Sequence, residues 1–412
     1  MRRFSAIIAG FGLAVLLSSL FLLFQPGAAQ EEPGSSMGPQ YSAAQAQVID
    51  LRQTETIDFS APGPNEIAGE IKCSPDGDIY AVYSQGTSGL LIQAGQPRGI
   101  FRRPVSKVSP SSRTVTEFPI PAIGNYQEVS REDFDVRPDD TLYALIGATR
   151  QALDKKIERA WYIVKYNDDG TEDSRVRVGE QPGKHTQPIR IGVFGDGSFL
   201  LSGTIVPEEK HAQLGSFSAI FGRDGEFESP IGLFKAAKPA PPSESGKPGS
   251  ATREESQRPP TLPEAMAKLD TSAVSLASNT LEFSSQDGNV YVLQGHVRPH
   301  LYVVSPAGYV AREYGLKPPE EGLAPIQMAP VGAGYLFIEY EHIPTGAAGE
   351  DLHQRGVITV LSSDNGQVAG VYRVPSSAGF AVPACADSTG SFLFLGSSKD
   401  GHLQVLRYAP AA

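Results

Sequence analysis

Cys73-Ser-Pro-Asp-Gly-Asp-Ile-Tyr-Ala-Val-Tyr-Ser84 sets a polar Pro-Asp-Gly turn directly ahead of a short apolar strand, and the same arrangement recurs along the chain. It returns as Arg137-Pro-Asp-Asp-Thr-Leu-Tyr-Ala-Leu-Ile146, Gly195-Asp-Gly-Ser-Phe-Leu-Leu201 and Gln286-Asp-Gly-Asn-Val-Tyr-Val-Leu293. Two looser copies follow, Gly332-Ala-Gly-Tyr-Leu-Phe-Ile338 and Asp387-Ser-Thr-Gly-Ser-Phe-Leu-Phe-Leu395. Gly and Asp tolerate the positive φ of a tight hairpin turn. The β-branched and aromatic residues that follow lack helical spacing and read as strand. Aligned on Gly77, Asp140, Gly197, Gly288, Gly334 and Gly390, the turns lie 63, 57, 91, 46 and 56 residues apart. The long interval holds a low-complexity stretch, and removing it restores a period in the range of repeat architectures.

Each unit continues into a second strand pair. Unit 1 offers Val105–Pro110 and Thr114–Pro119; unit 2 offers Trp161–Tyr166, an Asn-Asp-Asp-Gly turn at 167–170 and Arg175–Val178. Unit 3 offers Ser218–Phe221 and Phe227, unit 4 Leu301–Tyr314, and unit 5 Val357–Leu361 with Val368–Val374. Four short strands in each of six units predict an all-β, six-bladed β-propeller of four-stranded antiparallel blades. Closing the ring removes the open edges that a row of separate hairpins would leave. Unit 6 has only Leu403–Tyr408 after its hairpin, so its outer strand is expected from the other end of the chain, at Gln47–Leu51 or Thr56–Phe59.

Met1-Arg-Arg, the apolar run Phe4–Phe24 and Pro26-Gly-Ala-Ala29 form an expected signal peptide over 1–29, with an uncleaved anchor as the alternative. Either places the body of the protein outside the cytoplasm: periplasmic, secreted or membrane-anchored. Residues 30–45 read as a tether, and 46–412 as the propeller with a disordered insertion at about 236–270. Leu262–Leu269 and Ala148–Arg159 are helix candidates within loops. The net charge is −11, and −13 once Arg2 and Arg3 leave with the signal. An acidic body without a basic stripe excludes a nucleic-acid partner. Membrane contact is expected only through an uncleaved N-terminus, and the chain is expected to be a monomer.

Phosphate-loop, dinucleotide, zinc-protease and nucleophile-elbow motifs are absent from the sequence. Cys73 and Cys385 precede the repeated turn in units 1 and 6, which adjoin in a closed ring. Equivalent positions on neighbouring sheets lie about 10 Å apart, beyond the roughly 7 Å Cα reach of a disulfide, so two buried thiols are expected ahead of the disulfide that an exported compartment permits. His296 and His300 flank a strand connection, where their spacing does not make a metal pair. Asp76, Asp139, Asp196 and Asp287 are turn formers. The polar residues ahead of the innermost strands, Glu66, Glu70, Glu128, His185, Gln187, Asn279 and Glu282, are the candidates to line a central channel and bind a ligand there. Converging carboxylates and amides suit Ca²⁺ or another divalent ion, although side chains solvated at strand ends are the favoured reading and no metal or cofactor is expected.

Ser74-Pro-Asp-Gly followed by an apolar strand resembles the blade motif of exported six-bladed propellers of the TolB-like and NHL-like group, over most of the chain beyond the signal. That group includes metal-dependent lactonases with Glu, Asn and Asp ligands at the axis, and the resemblance implies such roles for Glu66 or Glu70 and Asn279. A second Asn–Asp pair is not found. The expected function is a binding or scaffolding module for a protein or small molecule; the alternative is a lactonase-like, metal-dependent hydrolase or lyase at the channel.

Overall fold

The structure is a computed structural model that describes residues 41–42, 47–67, 71–85, 102–152, 157–206, 215–233, 280–295, 299–331, 334–342, 356–379, 381–387 and 390–411. These belong to the compact unit Gly38–Ala412. The expected signal over 1–29, the 30–45 tether apart from 41–42, Leu262–Leu269 and the 236–270 insertion lie outside the described residues. No helix among the described residues is long and apolar enough to cross a membrane.

The chain opens with β1 (Tyr41–Ser42), β2 (Val48–Pro62) and β3 (Pro64–Ile67). Sheet I holds β4 (Lys72–Cys73), β5 (Ile79–Ala81), β7 (Val105–Ser109) and β8 (Thr114–Phe118), while β6 (Tyr83–Gln85) extends β5 and pairs with β3. Sheet II is β9 (Glu128–Val136), β10 (Leu142–Gln151), β11 (Ile157–Tyr166) and β12 (Glu172–Arg177). Sheet III is β13 (His185–Val193), β14 (Phe199–Val206), β15 (Gly215–Phe221) and β16 (Phe227–Pro230). Sheet IV is β17 (Thr280–Gln286), β18 (Asn289–Gln294), β19 (His300–Ser305) and β20 (Tyr309–Lys317), with β1 added in parallel to its outer edge. The remaining strands are β21 (Leu323–Pro330), β22 (Tyr335–His342), β23 (Val357–Ser362), β24 (Val368–Arg373), β25 (Val382–Ala386), β26 (Phe392–Ser397) and β27 (His402–Pro410). They join one eight-stranded sheet in the order β21-β22-β23-β24-β2-β27-β26-β25.

The fold is therefore all-β, a propeller-like arrangement of four-stranded sheets. Where the sequence predicts six separate four-stranded sheets, the structure holds sheets I–IV, one sheet of eight strands and the small β3–β6 pair. The difference lies in β2. Its first residues, Val48–Asp50, pair in parallel with Val371–Arg373 of β24, and Leu51–Pro62 then run antiparallel to β27. The expected outer strand is thus present: of the two alternatives, Thr56–Phe59 lies in the part of β2 that runs beside β27, whereas Val48–Asp50 of Gln47–Leu51 pair with β24.

The repeated turns have the backbone their residues suggest. Gly77, Gly197, Gly288, Gly334 and Gly390 all have positive φ, and Asp140 reaches 68° in the equivalent position. Gly77, Asp140, Gly197 and Gly390 each donate their N–H back to the carbonyl three residues earlier.

The strands after these turns look unbroken in apolar residues because both faces are covered. Along β10, Leu142, Ala144, Ile146 and Ala148 pack toward sheet I, whereas Tyr143 and Leu145 pack toward sheet III. Val290 and Val292 of β18 likewise face sheet III, while Tyr291 and Leu293 face β21 and β22. Interleaved apolar layers between neighbouring sheets are the main stabilising element, at about 25 cal/mol per Å² removed from water.

Two sequence expectations are corrected. Within the expected helix Ala148–Arg159, residues 148–151 and 157–159 are strand, with Ala148 opposite Ala160 and Arg150 opposite Glu158, and residues 153–156 lie outside the described residues. The alternation that feeds two apolar layers overrides the local helix formers in that stretch. Cys73 and Cys385 are joined in a disulfide with a Cα separation of 5.5 Å. The 10 Å spacing applies to the faces of stacked sheets, but β4 and β25 are innermost strands of sheets that converge, and there the backbones come closer.

Candidate functional site

The innermost strands touch one another in cyclic order: β4 with β9, β9 with β13, β13 with β17, β17 with β21, β21 with β25, and β25 with β4. Five of the six carry a register shift, which leaves Glu132, Ile189, Leu281, Ile326 and Ala384 unpaired on their strands. A bulge bends a strand and increases its local twist, so a bulge at similar depth in each sheet suits strands that splay from a common axis.

An innermost strand has one unpaired edge, whose N–H groups need acceptors. On β13, the outward N–H groups of Ile191 and Val193 are taken by carboxylates of β9. Asp133 Oδ2 accepts from Ile191 N at 2.9 Å, and Asp135 Oδ2 accepts from Val193 N at 2.9 Å. The two acids sit at i and i+2, the spacing that puts both on one face of a strand. Asp135 Oδ1 also accepts from its neighbour Val136 N at 2.9 Å. Ser285 Oγ, on β17, lies against Asp135 Oδ2 and 2.5 Å from the Val193 carbonyl oxygen, so its single proton serves one of them at a time.

Cations surround this knot. Lys72 of β4, 2% exposed, supplies charge to Asp135, which is fully buried. Arg190 Nη1 is 3.7 Å from Asp133 Oδ1. Arg131, two residues before Asp133, donates to the Arg103 carbonyl. Burial pushes the Asp135 carboxyl up to about 6, against the pull of Lys72 and of its hydrogen bonds from Ser285, Val193 and Val136. Burial also lowers Arg131 to about 10, against the charges of Asp133, Tyr166 and Glu132.

The residues expected from the sequence fall elsewhere. Glu128, exposed, begins β9 opposite Thr149; His185, also exposed, begins β13 opposite Val206, with Nδ1 3.9 Å from Glu180 Oε2. Gln187 is half-buried opposite Thr204, and Glu282 lies on β17 opposite Leu293. These four occupy the starting halves of three successive innermost strands, whereas Asp133 and Asp135 lie toward the turn end. Glu128 is about 23 Å along the strand from Asp135 at about 3.3 Å per residue. Glu66 lies on β3 opposite Ser84, and Glu70 and Asn279 lie outside the described residues. Among the described residues no group of three or more His, Cys, Asp or Glu is placed to hold a metal ion.

The axial residues that sequence reasoning missed are Lys72, Arg131, Asp133, Asp135, Arg190 and Ser285. The signal for two of them was present in Asp133-Phe-Asp135: acids at alternate positions within a strand that ends in buried apolar residues.

No protein-family model matches the chain. No curated protein matches it either. Among solved structures, a protein of unknown function from Bacteroides caccae is 13% identical with a TM-score of 0.37, over 76% of this chain and 84% of that one. The apo form of the soluble aldose sugar dehydrogenase from Escherichia coli is 11% identical with a TM-score of 0.39, over 88% and 100%. An α-L-arabinanase from Penicillium chrysogenum, complexed with arabinobiose, is 10% identical with a TM-score of 0.39, over 87% and 98%. Likeness at this level carries no conclusion about what the chain does.

Proposed function

We propose that the chain is an exported six-bladed β-propeller that acts as a monomeric binding or scaffolding module, with its ligand held on the rims of the ring. The observation that carries this reading is the commitment of the axial acids. Asp133 and Asp135 already accept the edge N–H groups of β13, and Lys72 and Arg190 lie beside them. A ligand or metal at that depth would have to displace hydrogen bonds that join three strands, at a cost of about 1–3 kcal/mol for each buried group left without a partner.

The count of six rests on dividing the eight-stranded sheet at β2, which leaves four strands on each side when β2 is assigned to the half that ends in β27. Export is supported by Arg2-Arg3, the apolar run Phe4–Phe24 and Pro26-Gly27, and by a disulfide of the kind that persists in oxidising compartments.

The test has two measurements on protein recovered from the cell envelope without chelator. Intact mass should place the N-terminus near Gln30, and elemental analysis should find no stoichiometric divalent ion. Retained Met1 would turn the exported module into a membrane-anchored one. A stoichiometric ion that is lost in Glu128→Gln or Asn279→Ala would overturn the binding-module reading in favour of the metal-dependent hydrolase.

A further inference from the structure

A cavity of about 240 Å³ opens between sheets II and III, away from the axis. Its floor is apolar. Tyr143, Ile163 and Phe199 belong to the layer between the two sheets, with the Tyr143 and Phe199 rings edge-on and their centroids 5.9 Å apart. The rim is basic: Arg137 from the turn of sheet II, Lys165 from β11 and Arg223 from the β15–β16 turn. The one carboxylate on the lining, Asp196, accepts from Ser198 N at 2.9 Å and Ser198 Oγ at 2.6 Å through Oδ1, and its charge also faces Arg223. Arg175 also borders the cavity, but it pairs with Val164 rather than Lys165 and so faces the other side of its sheet. There its guanidinium binds Glu172 and the Ala122 carbonyl.

The three rim cations retain donor capacity. Arg137 Nη2 donates to the Gly195 carbonyl at 3.1 Å and lies 3.3 Å from Asp139 Oδ2, which fixes the guanidinium. Its buried Nε has no hydrogen-bond partner among the described residues. The Arg223 side chain lies across Gly197, where a Cβ would meet its Nε at 3.5 Å, and it makes no hydrogen bond to a described residue. Lys165 Nζ gives one of its three protons to Asp173 at 2.8 Å. Two guanidiniums and an ammonium above an aromatic floor form a site with charge at one end and an apolar slot at the other. The volume is below the roughly 300 Å³ at which drug-sized pockets begin, which suits a single ring with one anionic substituent.

The geometry points to this cavity as a binding site for a small organic anion, a carboxylate or phosphate monoester carried on a ring-sized apolar body. The site is separate from the axial acids and does not depend on where the module's main ligand sits. Carboxylates and phosphate esters share the chemistry that this rim would recognise, and the probes separate them.

The purified chain is titrated calorimetrically with phenyl phosphate, benzoate and benzyl alcohol at low and moderate salt, with ligand-observed NMR as a second readout. One equivalent of phenyl phosphate or benzoate should bind with millimolar or better affinity, and binding should weaken as salt rises. The tighter of the two identifies the anionic group. Benzyl alcohol should bind at least about ten-fold more weakly, because it brings no anionic oxygen to the remaining N–H donors of the rim. Arg223→Glu, at an exposed turn, should weaken anion binding by about ten-fold or more, and Lys165→Ala by less, since Lys165 keeps one proton on Asp173. Unchanged thermal melting of both variants separates lost binding from lost folding. The inference is overturned if neither anion binds saturably, if benzyl alcohol binds as tightly, or if folded Arg223→Glu binds like the parent.

Discussion

Asp135 illustrates how a single side chain can tie stability to pH. Its carboxyl, raised to about 6 chiefly by burial, keeps its proton in the folded state where the unfolded chain has already lost it. Ordinary aspartates titrate near 3.9, so between about pH 4 and pH 6 the folded state binds more protons. The contribution of this group is fully present below about pH 4 and is lost as pH rises through about 6, amounting to about 1–3 kcal/mol. Asparagine at this position does not titrate. The stability difference between the parent and Asp135→Asn, from urea midpoints at pH 4, 5, 6 and 7, should therefore move in favour of the variant as pH rises. A difference that stays flat across that range would mean the carboxyl titrates normally. At this scale the sequence was a poor guide, because burial depends on which strand lies innermost. Glu128, His185, Gln187 and Glu282 were chosen for standing ahead of the innermost strands, yet the acids that meet at the axis come five and seven residues beyond Glu128.

Among the elements, β2 does more than one strand's work. It pairs with β24 over Val48–Asp50 and with β27 from Leu51 onward, so removing it exposes edges on two strands at once. Deleting residues 46–60, or truncating after Asp400, should lower the urea midpoint of the whole domain or cause aggregation rather than fray one end. An unaltered midpoint and slope after deleting 46–60 would show that the seam contributes nothing to global stability. The hairpins were legible because Asp-Gly turns and β-branched strands are local signals, and the turns carry positive φ where Gly or Asp was found. The outer strand at the N-terminus was legible from arithmetic alone, since unit 6 was one strand short. Its second partner, β24, was not, because a short parallel pairing leaves no mark on the pattern of a single strand. Ala148–Arg159 misled for the converse reason: its residues favour a helix locally, and the apolar layers on both faces of sheet II decide otherwise.

For the molecule as a whole, the disulfide is the longest-range restraint, linking residues 312 positions apart from β4 to β25. Closing so long a loop restricts the unfolded chain most, and a cross-link of this kind contributes about 2–5 kcal/mol. The Cys73→Ser, Cys385→Ser double variant should fold to the same ring, with its urea midpoint lowered in proportion, and the parent under reductant should match it. If oxidised parent, reduced parent and double variant unfold together, the bond adds no stability. The sequence put both cysteines at equivalent places in adjoining units but misjudged their distance, because the spacing of flat stacked sheets was applied where the sheets converge.

The seam between β2 and β27 also fixes an order of events in time. A polypeptide is delivered from its N-terminus, so β2 emerges long before β27 and waits for that partner. Sheets II and III draw their strands from one contiguous stretch each and can assemble as they appear, but the ring cannot shut until the nine residues of β27 are free. Cys385 emerges only shortly before them, and Cys73 meets it across the two ends of the fold. The oxidised pair is thus a covalent timestamp, written only once the 312 residues that separate the two cysteines have been delivered.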